Sequence, residues 1–102
     1  MFKALEELIA VIRQRKESSI EESYTKKLLS SKKLSVEKVK EEITELIDSV
    51  EKNSNKIHEA ADVLYHLMVF LEAHGIKIED VMNELKKISG KYLLMEEENL
   101  QG

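Results

Sequence analysis

The run from Ser35 to Gly75, SVEKVKEEITELIDSVEKNSNKIHEAADVLYHLMVFLEAHG, decides the fold of this chain. Val36, Val39, Ile43, Leu46, Ile47 and Val50 recur at helical spacing behind Ser35, a residue able to cap a helix. Asn53-Ser54-Asn55 follows with turn chemistry, and a second helical stretch then runs to about Ala73, where Gly75 supplies a left-handed stop. The spacing predicts helices over 35–52 and 55–73. A connection this short makes them antiparallel neighbours.

Each of the two helices carries a pair of acidic residues three apart, Glu42 and Glu45 on the first and Glu59 and Asp62 on the second. Residues three apart on a helix lie on one face, so each pair presents two carboxylates in one direction. Glu45 lies eight residues before Asn53 and Asp62 seven after Asn55, which places them nearly level across the hairpin, with Glu42 and Glu59 within about a turn. Asp62 stands among Ala60, Ala61, Val63, Leu64, Leu67 and Met68 and is expected to be buried, whereas Glu42 and Glu45 taken alone read as a solvated face. A buried carboxylate needs a partner, a proton or a metal. Four convergent carboxylates repel one another, and a divalent cation relieves that; all-oxygen ligation suits Mg²⁺ or Mn²⁺. Such a site binds a phosphate chain and promotes phosphoryl chemistry.

Outward from the hairpin, Phe2, Leu5, Leu8, Ile9 and Ile12 give a first helix over 2–16, and Glu17 to Glu22 read as a loop. Ser23 caps a short helix over 23–31, and Ile78, Val81, Leu85 and Ile88 give a last one over 79–89, ending near Gly90. The architecture is all-α, a compact bundle of four or five helices. A single domain occupies 1–90, and an acidic tail over 91–102 is expected to be flexible.

Composition agrees. Among 102 residues 35% are charged and 5% aromatic, with no Pro, no Trp and three Gly. A net charge of −4 argues against a nucleic-acid polymer as partner. The lysines between Lys26 and Lys40 form a local basic cluster suited to drawing in a small polyphosphate, or simply a solvated face. Without cysteine, neither disulfides nor thiolate metal sites arise. No apolar run reaches the ~20 residues that span a bilayer, so the expectation is a soluble cytoplasmic protein without a membrane partner. The second hairpin helix is apolar on more faces than a small bundle covers, which points to a homodimer or a dimer of dimers.

At these same residues the chain resembles the phosphoribosyl-ATP pyrophosphohydrolases, a branch of the MazG-like all-α nucleotide pyrophosphatases. Ser23-Tyr24-Thr25-Lys26-Lys27-Leu28-Leu29 is similar to the family's SYTxKLL segment, and Lys38-Val39-Lys40-Glu41-Glu42-Ile43-Thr44-Glu45 to its KVGEExxE segment. Glu59-Ala60-Ala61-Asp62-Val63-Leu64-Tyr65-His66 resembles its EAADLLYH segment. The resemblance implies Mg²⁺-dependent hydrolysis of phosphoribosyl-ATP to phosphoribosyl-AMP and pyrophosphate, the second step of histidine biosynthesis. It implies metal ligation by Glu42, Glu45, Glu59 and Asp62, a further ligand or water-orienting role for Glu41, and contact of Tyr24, Lys27 and Lys38 with the phosphates or ribose. His66, one turn after Asp62, would touch substrate or steady a carboxylate; a buried core histidine is the plainer reading. Lys40 stands where the family pattern has Gly. Two other readings stay open: a house-cleaning pyrophosphatase acting on ordinary or deoxy nucleoside triphosphates, and a non-catalytic helical dimerisation module.

Overall fold

The computed structural model describes the backbone of residues 1–101 and the side chains of 1–94. Five helices follow in order: α1 Lys3–Gln14, extended by a 3₁₀ turn Arg15–Glu17, α2 Tyr24–Leu29, α3 Lys32–Lys52, α4 Lys56–Ala73 and α5 Ile78–Gln101. No strand occurs among the described residues.

Local chemistry accounts for most boundaries. The Ser23 hydroxyl accepts from the Lys26 backbone N–H and caps α2, a bond that stabilises a helix start by about 1 kcal/mol. Asn53 and Asn55 both take left-handed backbone at φ 53° and 57°, which reverses the chain between α3 and α4; asparagine adopts that conformation more readily than most residues. Gly75, at φ +70°, ends α4 as expected.

Two boundaries differ from the sequence reading. The cap of α3 is Ser31, which accepts from the Leu34 N–H, and Ser35 lies inside the helix, buried, donating its hydroxyl hydrogen to the Lys32 carbonyl at 2.7 Å. Both serines precede a suitable donor, and the earlier one adds a turn to the helix. The last helix passes through Gly90 to Gln101 instead of stopping near Gly90. A glycine inside a helix costs only about 1 kcal/mol, and the Leu85, Ile88, Tyr92 periodicity continues across it. The end of the tail expected to be flexible, the side chains from 95 and residue 102, lies outside the described residues.

The core forms where α1 and α2 pack against α4. Ile12, Leu28, Met68 and Val69 are buried together, with Leu5, Leu8, Ile9, Tyr65 and Leu71 against them. Full burial of such a side chain contributes roughly 1.5–3 kcal/mol. Arg13 reinforces the arrangement from α1, its Nη1 and Nη2 donating to the two oxygens of Glu79 at 3.0 and 2.8 Å, while Lys16 donates to Glu72 at 2.6 Å.

The α3–α4 hairpin is the most extensive helix pair. On α3 the buried residues are Ser35, Val39, Glu42 and Ser49, spaced by four, three and seven. The more apolar stripe of the same helix faces out: Ile43, Ile47 and Val50 are exposed, as are Ile57 and Leu64 on α4. On α5 every described side chain from Met82 on is exposed, Leu85, Ile88, Tyr92, Leu93 and Leu94 among them.

Candidate metal centre

The mixed inner face of α3 brings Glu42 against α4. Glu42 is 8 % exposed, whereas Asp62 is half-buried, its side chain 34 % exposed. Glu42, which taken alone reads as part of a solvated face, is the buried carboxylate, as its convergence with Asp62 implies, and the sequence reading is reversed only for Asp62, which, expected inside, keeps access to solvent. The reason lies in which stripe of α3 packs on α4. Counting apolar residues selects Val36, Val39, Ile43, Leu46, Ile47 and Val50; of these the fold buries Val39, with Glu42 and Ser49 in line with it, and leaves Ile43, Ile47 and Val50 exposed.

Two overlapping sets of oxygen and nitrogen atoms result. Glu42, Glu45 and Glu59 each bring a carboxylate oxygen within 4.8 Å of the others, and Glu42, Asp62 and His66 do the same with one ligand atom each. Glu42 belongs to both. The hairpin thus brings together all four carboxylates singled out in the sequence, with Glu45 exposed at the open side and Glu59 half-buried.

The electrostatics of the cluster are unfavourable as it stands. Burial, together with the charges of Asp62, Glu45 and Glu59, pushes the Glu42 carboxyl up to about 7 from an ordinary 4.5. One oxygen of Glu42 and one of Glu59 are buried without a hydrogen-bond partner. Unpaired buried carboxylate oxygens are costly, and a cation bound between them supplies the missing partner. The donor set, hard oxygens from both helices, fits a divalent ion. These acidic residues can hold one.

Beside the carboxylates, Tyr24 and His66 form a separate layer. The Tyr24 hydroxyl lies 3.2 Å from His66 Nε2, and His66 Nδ1 donates to the Asp62 carbonyl at 2.9 Å. Thr25 pairs with the Tyr65 hydroxyl. Burial raises the Tyr24 phenol, with the Lys38 ammonium opposing it. Glu41 does not join the cluster; it is exposed and takes a hydrogen bond from Lys38 Nζ at 3.2 Å. That bond, with the charge of Glu41, raises Lys38. Lys27 is exposed on α2. Lys40 is exposed as well, so a side chain at this position does not crowd the carboxylates.

A shallow cleft of about 280 Å³ adjoins the site where Glu45 and Glu59 meet Asp48, Ser49, Lys52, Ser54 and Asn55. The sequence reading passed over Asp48 and Lys52. They lie three and seven residues after Glu45, the spacing that keeps side chains on one helical face, and that spacing was the available signal.

An antiparallel helical hairpin that brings together carboxylates from both arms able to hold a cation defines the class, an all-α protein with a candidate metal site. Its relatives narrow the class. Residues 5–89 match the family model described as phosphoribosyl-ATP pyrophosphohydrolase. The chain is 44% identical over 88 residues to a phosphoribosyl-ATP pyrophosphatase of Clostridium novyi, covering 81% of this chain and 78% of that one. It is 42% identical over 91 residues to one of Pyrobaculum arsenaticum, covering 83% and 94% respectively. A histidine biosynthesis bifunctional protein of Pyrococcus furiosus is 42% identical over 84 residues. The chain spans 40% of that bifunctional relative and 36% of another from Arabidopsis thaliana. No solved structure matches it significantly. The chain belongs to the phosphoribosyl-ATP pyrophosphohydrolase family. No helix of the described residues is long and apolar enough to cross a membrane.

Proposed function

We propose that this chain hydrolyses phosphoribosyl-ATP to phosphoribosyl-AMP and pyrophosphate, the second step of histidine biosynthesis, in the cytoplasm and with Mg²⁺, which Mn²⁺ can replace. The observation that carries the reading is the pair of buried, unpartnered oxygens of Glu42 and Glu59 inside a four-carboxylate cluster, in a chain whose family is defined by that reaction.

Glu42, Glu45, Glu59 and Asp62 would hold the cation. When bound, a divalent ion neutralises the phosphate chain and acidifies a coordinated water. The chain's own residues do the rest. Glu45, at the exposed side of the cluster, is placed to accept a proton from the attacking water. Lys38, held by Glu41, offers a positioned cation to a phosphate oxygen, and Lys52 in the adjoining cleft offers a second. Glu41 therefore acts on Lys38 and not on the metal. Lys27 supplies long-range attraction from α2.

The protein would work as a homodimer, or a dimer of dimers, because the outward stripe of Ile43, Ile47, Val50, Ile57 and Leu64 is apolar across both arms of the hairpin and calls for a matching surface. A second copy of the same hairpin provides one.

The test is pyrophosphate release by the purified protein with Mg²⁺, comparing phosphoribosyl-ATP with ATP, dUTP and dCTP. Preference for phosphoribosyl-ATP is the expected result. Preference for a plain nucleoside triphosphate would assign the chain to the house-cleaning pyrophosphatases, and no release from any of the four would leave a helical dimerisation module.

A further inference from the structure

His66 is 6 % exposed, and the four carboxylates proposed to hold the cation leave its imidazole free for another task. Its two ring nitrogens are both engaged. Nδ1 lies 2.9 Å from the Asp62 carbonyl, and since a carbonyl only accepts, Nδ1 carries the hydrogen. In the neutral ring Nε2 is then an acceptor, and the Tyr24 hydroxyl 3.2 Å away must donate to it. A phenol has one hydrogen. Once that hydrogen is given to His66, the Tyr24 oxygen has only lone pairs left to offer.

The ring is not free to turn away. Tyr65 stacks beside the Tyr24 ring with centroids 6.5 Å apart and planes at 23°, and His66 meets the same Tyr24 ring edge-on at 6.0 Å and 72°. The Tyr65 hydroxyl is in turn held by Thr25. Tyr24 remains 48 % exposed, and its hydroxyl is close enough to Lys38, Glu42 and Glu41 for their charges to act on it. It therefore stands at the rim of the carboxylate cluster with a fixed, acceptor-only oxygen.

We propose that His66 is a positioning residue that commits the Tyr24 proton, so that Tyr24 selects an O–H donor at the edge of the site, a hydroxyl of the nucleotide's sugar or a water on the cation, and rejects a phosphate oxygen. Two acceptors facing each other repel, so the sequence expectation that Tyr24 meets phosphates or ribose narrows to the hydroxyl-bearing side. The exposure of Tyr24 leaves its hydroxyl open to an approaching nucleotide, which favours the sugar. The proposal rests on the pyrophosphohydrolase reading above and refines where the substrate's sugar lies.

The test has two independent parts. Long-range ¹H–¹⁵N spectra of the wild-type protein report the His66 tautomer without any substitution or turnover; Nδ1 protonated and Nε2 bare is expected, and a protonated Nε2 overturns the proposal. Kinetics then compare phosphoribosyl-ATP with analogues lacking the 2′- or the 3′-hydroxyl on the triphosphate-bearing ribose, with Mn²⁺ titration as a control on the metal site. The wild type is expected to lose roughly 3–10-fold in kcat/KM on one analogue, the worth of one hydrogen bond. Tyr24→Phe should erase that preference by raising KM for the natural substrate, with Mn²⁺ affinity unchanged. His66→Phe should do likewise, and His66→Gln, which keeps an acceptor oxygen, should restore the preference. A Tyr24→Phe loss confined to kcat, equal on all substrates and accompanied by an altered pH profile, would identify the donor as the water. Unchanged kinetics for Tyr24→Phe on every substrate would overturn the proposal. If the wild type releases no pyrophosphate at all, the functional reading fails while the spectrum still decides the Tyr24–His66 bond.

Discussion

Glu42 and Asp62 meet across the α3–α4 hairpin with unequal burial: Glu42 is 8 % exposed, and the Asp62 side chain is 34 % exposed. The inequality assigns them different work. Glu42, shared by both sets of converging atoms, would be the pivot of the proposed site, and Asp62 a proposed ligand that solvent can reach. Substituting Glu42→Gln keeps the volume and removes the charge. Pyrophosphate release and Mn²⁺ affinity should each fall by more than the ~10–100-fold that loss of an outer-sphere partner costs at a metal site. The metal-free thermal midpoint at neutral pH should hold or rise, because like-charge repulsion is relieved. Isothermal titration and a turnover assay check this; activity within a few-fold of wild type would mean that the cation does not sit at Glu42.

The same residue makes the metal-free protein pH-sensitive in a stated direction. In the fold the Glu42 carboxyl keeps its proton up to about 7, and in the unfolded chain it releases it near 4.5. Between those values the folded state binds more protons than the unfolded one, so the contribution of Glu42 to stability falls as pH rises from 4.5 to about 7 and is level above and below. The difference in thermal midpoint between Glu42→Gln and wild type should therefore grow across that window and then stay constant. Cation binding within the window should expel a proton, read as a dependence of binding heat on buffer ionisation, and the effect should vanish above it.

These expectations show where the sequence was informative. The hairpin, its turn at Asn53 to Asn55 and the convergence of Glu42, Glu45, Glu59 and Asp62 follow from helical spacing and a short connection, both local properties. Which stripe of α3 turns inward does not, because hydrophobic periodicity assigns the richest stripe to the core of a single chain. Ile43, Ile47 and Val50, half of that stripe, are exposed here, while Val39 of the same stripe is buried. A surface made to meet another copy is indistinguishable, residue by residue, from one made to be buried within the chain. The pairing of Tyr24 with His66 was likewise out of reach, since it joins residues 42 apart in sequence.

The outward stripe yields its own prediction. Ile47→Glu and Ile57→Glu each place a charge in a surface proposed to face a second hairpin, where burying an unpaired charge is prohibitive. Light scattering should show a dimer for the wild type and its loss in both variants. The same change at Val11, exposed on α1, should leave assembly intact. Should all three keep the mass of the wild type, the interface lies elsewhere on the molecule.

Gly90 decides between two descriptions of the last helix by the sign of one measurement. If α5 stopped there, as the sequence suggests, Gly90 would take the left-handed conformation of a helix end, and an alanine in its place would cost about 1–2 kcal/mol. Within the continuous helix Ile78–Gln101, Gly90 has no left-handed backbone and a Cβ would meet nothing within 4 Å. Gly90→Ala should then stabilise by roughly 0.5–1 kcal/mol, the usual gain from removing glycine's backbone freedom inside a helix. Gly75→Ala is the internal contrast: that position has equal space but sits at φ +70°, so the same substitution must destabilise. Chemical denaturation of the two variants separates the cases, since opposite signs require a helix that continues through one glycine and ends at the other.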